Sequence, residues 1–265
     1  MPRTLTYHDV VDGDCDTSGF PGGGPAHYKL SKAEFSRHLG AIRSSSASPM
    51  ILPDLRTSDS SKANALLLTF DDGGVSAASL IADALEAQGW HGHFFVTTDY
   101  IGERGFMTAA QIRDLAGRGH VIGTHSCSHP SRMSACPPQQ LLDEWQRSRA
   151  VLSDILAAPV TIGSVPGGYY SNNVAFAAAA AGLTDLFTSE PSNQVAVMNG
   201  LRVYGRFSVH RGTPVSRVAA IASGHRLTMV RESVVWTLKK ILKLAGGRTY
   251  LQVRQLILDN QYRSL

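Results

Sequence analysis

Two adjacent carboxylates, Asp71 and Asp72, follow the apolar run Leu66-Leu-Leu-Thr-Phe70 and precede Gly73-Gly74. Like charges repel and burial disfavours ionisation, so such a pair at the end of a buried segment is costly unless something positive meets it. A metal ion is the economical partner; for an Asp-Asp-Gly taken alone, a turn that caps the next helix is the alternative. Further along, His125-Ser-Cys-Ser-His129 supplies two imidazoles at i and i+4. In a helical turn these share one face and can hold one divalent ion. An Asp with two His makes a three-ligand set that leaves a position open for water, the arrangement of catalytic rather than structural zinc sites. Cys127 sits at i+2, off that face, and is not expected to ligate.

Three more segments offer polar groups where a strand would end. In Ser164-Val-Pro-Gly-Gly-Tyr-Tyr170 a Pro and two glycines can hold an exposed backbone amide, and an ordinary turn is the alternative. Tyr169 and Tyr170 offer rings that can stack on a sugar or simply pack at a rim. His210 closes Phe207-Ser-Val-His, and His8 closes the apolar start of the chain. His91 and His93 read as packing or surface residues, and His27, His38, His120 and His225 belong to no constellation.

Short apolar runs expected as strands occur at Leu5 to Tyr7, Ala65 to Phe70, Phe94 to Thr97, His120 to Gly123, Val160 to Val165, Asp185 to Thr188 and Arg206 to Val209. Most precede a helical pattern. Ser31-Lys-Ala-Glu34 and Thr108-Ala-Ala-Gln111 read as capping boxes that start helices near residues 32 and 109. Further helices are expected over Ser76 to Gln88, Pro138 to Leu156, Asn173 to Ala181 and Pro214 to Ala222. This order predicts an α/β fold, a distorted (β/α) barrel of about seven units with parallel strands and outer helices. In such a barrel all strand C-termini open on one face, so Asp71, Asp72, His125, His129, Gly167, His210 and His8 would converge there. Two long loops, residues 12 to 27 around Phe20-Pro-Gly-Gly-Gly24 and the Ser-rich 44 to 62, read as surface excursions or as a rim over the barrel mouth.

Thr69-Phe-Asp-Asp-Gly73, His125-Ser-Cys-Ser-His129, Val165-Pro-Gly-Gly168 and Val209-His210 together resemble the ordered motifs of the polysaccharide deacetylases, carbohydrate esterase family 4. The resemblance covers about residues 1 to 212. It implies metal-dependent removal of acetyl groups from N-acetylated amino sugars, with Asp72, His125 and His129 as metal ligands. Asp71 would be the general base, His210 the general acid and Gly167 an amide donor to the oxyanion. Zinc best suits two His and one Asp, with cobalt, nickel or manganese as alternatives. Where many members carry an Arg two residues before the motif Pro, this chain has Ser164; Arg202, Arg206 and Arg211 are the candidates to replace that cation. The family's Asp-Trp motif appears as Phe187-Thr-Ser-Glu190-Pro191, which leaves Glu190 to act as the acidic partner of His210.

The chain has 265 residues, 43% of them hydrophobic and 17% charged, enough to bury a core. Residues 225 to 265 hold eight basic and two acidic side chains, +6, against −2 for the rest. Confinement of positive charge to the tail argues against a nucleic-acid partner. The reading is therefore a barrel domain over 1–224 and a basic helical extension over 225–265. In the stretch from Glu232 to Ala245, Val235, Leu238, Ile241, Leu242 and Ala245 share a face, so residues 226 to 265 can pack on the barrel or rest on an anionic membrane. Three cysteines do not make a disulfide scaffold, no apolar run reaches about 18 residues, and the N-terminus shows no secretory h-region. The expected setting is the cytoplasm, with a glycan precursor in exopolysaccharide biosynthesis as substrate. Two alternatives are a hydrolase of a non-sugar amide or formamide, and an inactive carbohydrate-binding protein.

Overall fold

The computed structural model describes residues 1–57 and 64–238. Its strands are β1 (Arg3–Tyr7), β2 (Val10–Val11), β3 (Leu30–Ser31), β4 (Ser48–Pro49), β5 (Ala65–Phe70) and β6 (His93–Val96), followed by β7 (Val121–Thr124), β8 (Ile162–Ser164), β9 (Asp185–Phe187), β10 (Val195–Met198), β11 (Leu201–Tyr204) and β12 (Phe207–Ser208). The helices are α1 (Gly23–Ala26), α2 (Lys32–Arg43), α3 (Leu52–Thr57), α4 (Leu80–Glu86), α5 (Ala109–Gly117), α6 (Pro138–Leu156), α7 (Asn172–Ala180) and α8 (Val215–Ala222). The main sheet runs β10-β11-β9-β8-β7-β6-β5-β1-β12, every pairing parallel except β10 with β11. It curls into the expected distorted barrel, and β12 and β10 stay unpaired to each other at its edges.

Alternation along the strands sorts side chains into two layers. Leu66, Leu68, Phe70, Phe94 and Val96 face the cluster shared with α2, α4, α5 and α8, whereas Leu67, Phe95, Ile162, Phe187 and Tyr204 fill the barrel interior. Because β5 is buried on both faces, it reads as an unbroken apolar run. Both capping boxes form: Ser31 with Glu34 starts α2, and Thr108 with Gln111 starts α5.

Some expectations need correction. The helix expected from Ser76 breaks into a 3₁₀ turn, Val75–Ala78, and α4, because Ser79 leaves helical geometry at φ −128° and ψ −87°. The 44 to 62 segment is no plain loop: its described part forms β4 against β5 and then α3. The β10–β11 hairpin had no expected counterpart; its turn is Asn199-Gly200, both at positive φ. In the tail, residues 226–238 are helical. They dock through Ser233, whose hydroxyl donates to the Pro191 carbonyl at 2.7 Å, and Glu232, which pairs with Arg217 at 2.6 Å. Residues 239–265 lie outside the described residues, and with them most of the face proposed to meet a membrane.

Candidate active site

Strand alternation carries inward past the end of β5: Leu67 and Thr69 face the interior, and Asp71 follows in phase. Asp72 is next in line, and its positive φ of 77° turns its carboxylate back to the same side. A β strand would have sent it to the opposite face. Only a few non-glycine residues tolerate this region, Asp among them, so the backbone spends conformational energy to bring both carboxylates together.

The two imidazoles meet differently from the helical turn expected of them. Residues 125–129 are not helical: Ser126 and His129 adopt φ of 66° and 54°, and the segment doubles back on itself. It is held by side chains and neighbouring backbone. The Ser126 amide donates to Thr124 Oγ1 at 3.1 Å, and the His129 amide to Ser126 Oγ at 3.2 Å. Glu144 of α6, itself buried, accepts from the amides of Cys127 (2.8 Å) and Ser128 (2.9 Å) and from the Ser128 hydroxyl (2.5 Å). Sequence reading missed Glu144; its only signal was an acid among the inward-facing positions of an amphipathic helix.

One oxygen of Asp72, Oδ1, lies 3.4 Å from His125 Nε2 and 3.5 Å from His129 Nε2. It is buried and makes no hydrogen bond. A buried, unsatisfied carboxylate oxygen calls for a cation. Ligands about 2.0–2.1 Å from a tetrahedral metal stand about 3.3 Å apart, close to the spacings seen. His125 Nδ1 donates to the Ser164 carbonyl at 3.0 Å, which leaves the Nε2 lone pair facing Asp72 and fixes the tautomer a ligand needs. The residues therefore fit a divalent ion. Cys127 is buried and its amide is tied to Glu144.

Asp71 has a different partner. Arg206, fully buried ahead of β12, crosses the barrel interior and grips both carboxylate oxygens at 2.7 Å. The same guanidinium donates to Ser164 Oγ (2.8 Å) and the Thr188 carbonyl (3.0 Å), and lies over the Phe95 ring. Ser164 Oγ in turn donates to Asp71 at 3.2 Å. Of the three arginines named from sequence, the structure selects Arg206. Arg202 pairs with Asp185 at the N-terminal end of β9, and Arg211 reaches the Lys29 carbonyl.

Charge follows geometry. Burial works against ionising Asp71, but Arg206, aided by His125, outweighs it and holds the carboxyl below the usual range. Asp72 is likewise buried, and its interaction with His125 together with the charge of His8 and His129 drives its carboxyl well down. Burial disfavours the His125 cation, yet Asp71 and Asp72 reverse this and raise it. His129 is lowered, because there burial wins over Asp72.

The other residues named from sequence stand on the segments that follow β1, β8, β9 and β12. His8, at the end of β1, lies within electrostatic reach of Asp71, Asp72 and His129, and its ring packs on Tyr28. Gly167 is exposed in the turn after β8, in the left-handed region at φ 60°. Tyr169 sits under the Arg132 guanidinium at 5.4 Å, whereas Tyr170 packs on the core beneath α7. His210 stacks on His27 at 4.5 Å, with Nδ1 3.0 Å from the Arg211 carbonyl. Glu190, in the bend before β10, accepts the Arg206 amide on its carbonyl, and its charge helps raise the Tyr170 phenol, behind the larger effect of burial.

Residues 58–186 match the family described as polysaccharide deacetylase. A Bacillus subtilis protein described as a polysaccharide deacetylase, YxkH, is 24% identical over 78% of this chain and 69% of its own length. Among solved structures, a de-N-acetylase from Aggregatibacter actinomycetemcomitans superposes with a TM-score of 0.70 at 18% identity, over 83% of this chain and 99% of that one. A Streptococcus pyogenes deacetylase in complex with acetate does so with a TM-score of 0.66 at 17% identity, over 81% and 94%. At those identities the structures speak for the shared barrel, and the family match spans the strands that carry the Asp pair, both imidazoles and the glycine turn. Over residues 58–186, just under half of its length, the chain is thus similar to the polysaccharide deacetylases.

Proposed function

We propose that this protein is a metal-dependent hydrolase that removes an N-acetyl group from an amino sugar, in polysaccharide or glycan-precursor biosynthesis. One observation carries the reading: a buried, unsatisfied Asp72 oxygen faces two imidazole nitrogens, next to a carboxylate held ionised by Arg206. Asp72, His125 and His129 would hold the ion, zinc by preference. When bound it polarises the amide carbonyl and acidifies water.

The protein's own groups do the rest. Asp71, ionised and fixed by two charge-assisted hydrogen bonds, takes the proton from the attacking water. The Gly167 amide, exposed by its turn, donates to the developing oxyanion. His210 protonates the leaving amine. Its Nδ1 faces an acceptor-only carbonyl, so Nδ1 keeps its proton and Nε2 delivers the second. Acetate and the free amino sugar are the products.

The test is acetate release from acetylated amino sugars, beside formylated sugars and simple amides, with and without chelator. Turnover of the acetamido sugar, abolished by chelator and restored by metal, is the expected result. Asp71→Asn should stop turnover and retain the ion, whereas His125→Ala should lose both. Stoichiometric metal without acetate release from any acetamido sugar would overturn the proposal in favour of a binding protein. Preference for simple amides would move the substrate class.

A further inference from the structure

Phe20 lies in the loop between β2 and β3, outside every motif that carries the chemistry. We propose that it is a substrate-contacting residue: its ring forms an apolar wall beside the His129 imidazole and receives the C–H face of the sugar whose acetamide is hydrolysed. The inference rests on the hydrolase reading and adds to it the surface that orients the sugar.

Its position is specific. The Phe20 ring centroid stands 5.0 Å from that of His129, 4.8 Å from Tyr100 and 5.0 Å from Phe106, the two aromatic partners meeting it edge to face. Phe106 is buried, while Phe20 and Tyr100 are only half-buried, so the cluster has a closed back and an open front. The His129 side chain is itself about a quarter exposed, the most open of the three candidate ligands. Phe20 therefore offers an apolar surface beside the most open of the candidate ligands.

A half-exposed phenyl ring is ordinary on a protein surface. The manner in which this one is fixed is not. Asp9, 2% exposed, accepts hydrogen bonds from Ser18 (2.5 Å) and Ser76 (2.8 Å), and Lys29, 1% exposed, donates to the Cys15 carbonyl at 2.7 Å. The Gly19 amide next to Phe20 donates to Gly105 at 2.8 Å, where the loops approach too closely for a comfortable side chain. Buried charged groups are costly even when satisfied. Here they are used to hold a surface loop in one place, and that place puts an aromatic ring against a metal-ligand candidate.

The sheet order explains why Phe20 rather than Tyr169 is the contact. Strand β7, which leads into the histidine segment, lies between β6, which leads to Tyr100, and β8, which leads to Tyr169. Aromatic rings thus flank the histidines on both sides. On the β8 side the Tyr169 face is covered by Arg132; on the β6 side no cation covers Phe20 among the described residues. Pyranose rings present apolar C–H faces, and an uncovered aromatic is the matching surface.

The experiment titrates metal-loaded, full-length protein with the tri-N-acetylated β-1,4-glucosamine trimer by calorimetry, alongside acetate-release kinetics on the same trimer. Phe20→Ala should weaken binding and raise KM by about 10- to 100-fold with a much smaller change in kcat, and Phe20→Trp should restore both to within about threefold. Metal affinity, read by chelator competition, should be unchanged in Phe20→Ala. Trimer binding as tight as wild type in Phe20→Ala, no rescue by Phe20→Trp, or a fall in metal affinity that accounts for the loss would each overturn the proposal. So would wild-type protein that does not bind the trimer. Phe20-dependent binding without acetate release would leave the sugar contact standing and sink the hydrolase reading.

Discussion

Removing the Arg206 guanidinium tests the central electrostatic arrangement without reference to any substrate. Arg206 is fully buried and gives Asp71 two hydrogen bonds of 2.7 Å, and burial alone would push the Asp71 carboxyl up. Arg206→Met keeps most of the volume but leaves a buried carboxylate facing apolar atoms. Stranding one partner of a buried pair costs about 3–5 kcal/mol. For a chain of this size each kcal/mol is worth about 2–4 °C, so a drop in Tm on the order of 10 °C is expected. Asp71→Asn in the same background removes the stranded charge, and the double variant should recover much of that loss. Arg206→Lys keeps the charge without the planar fork and should fall between. Acetate release by Arg206→Met should drop about 10²- to 10³-fold, because an unpaired Asp71 is a poorly placed and poorly ionised base. Thermal unfolding of the four species in the cycle, with kcat/KM for the active ones, gives the answer. Additive losses in stability, with no recovery in the double variant, would refute the pairing as the source of Asp71's ionisation.

Burial holds His93 down to about 4; its Nε2 accepts the Leu52 amide at 3.0 Å and its Nδ1 donates to the Leu68 carbonyl at 3.1 Å, so it folds neutral. An unfolded His titrates near 6.5, so its stability contribution is complete above that pH and is lost as pH falls toward about 4, by about 3 kcal/mol. Urea unfolding at pH 7 and pH 4.5 should show this loss in the wild type and a shallower one in His93→Asn; equal slopes would refute it. Glu144→Gln replaces an acceptor-only carboxylate with a group that turns an N–H toward the donors of the histidine segment. Metal affinity by chelator competition should fall about 10- to 100-fold, and an unchanged affinity would mean the segment holds its shape without Glu144.

The sequence by itself determined the strand-and-helix order of the barrel and singled out the Asp and His residues that the structure brings together. Local signals suffice where the physics is local: the two capping boxes form as written, β5 announces its double burial by an unbroken apolar run, and the Asp pair and imidazole pair sit at the ends of readable strands. The shape of the histidine segment was not legible, because positive φ at Ser126 and His129 is imposed by Glu144 and by neighbouring loops. Nor could spacing choose among Arg202, Arg206 and Arg211. That choice depends on where each falls relative to the strand ends and on a curl of the sheet that brings the approach to β12 within reach of the end of β5, 135 positions earlier in the chain. Phe20 and Glu144 carry no motif at all. A contact between distant segments has no period and no signature; it exists only once the packed interior has fixed where each segment runs.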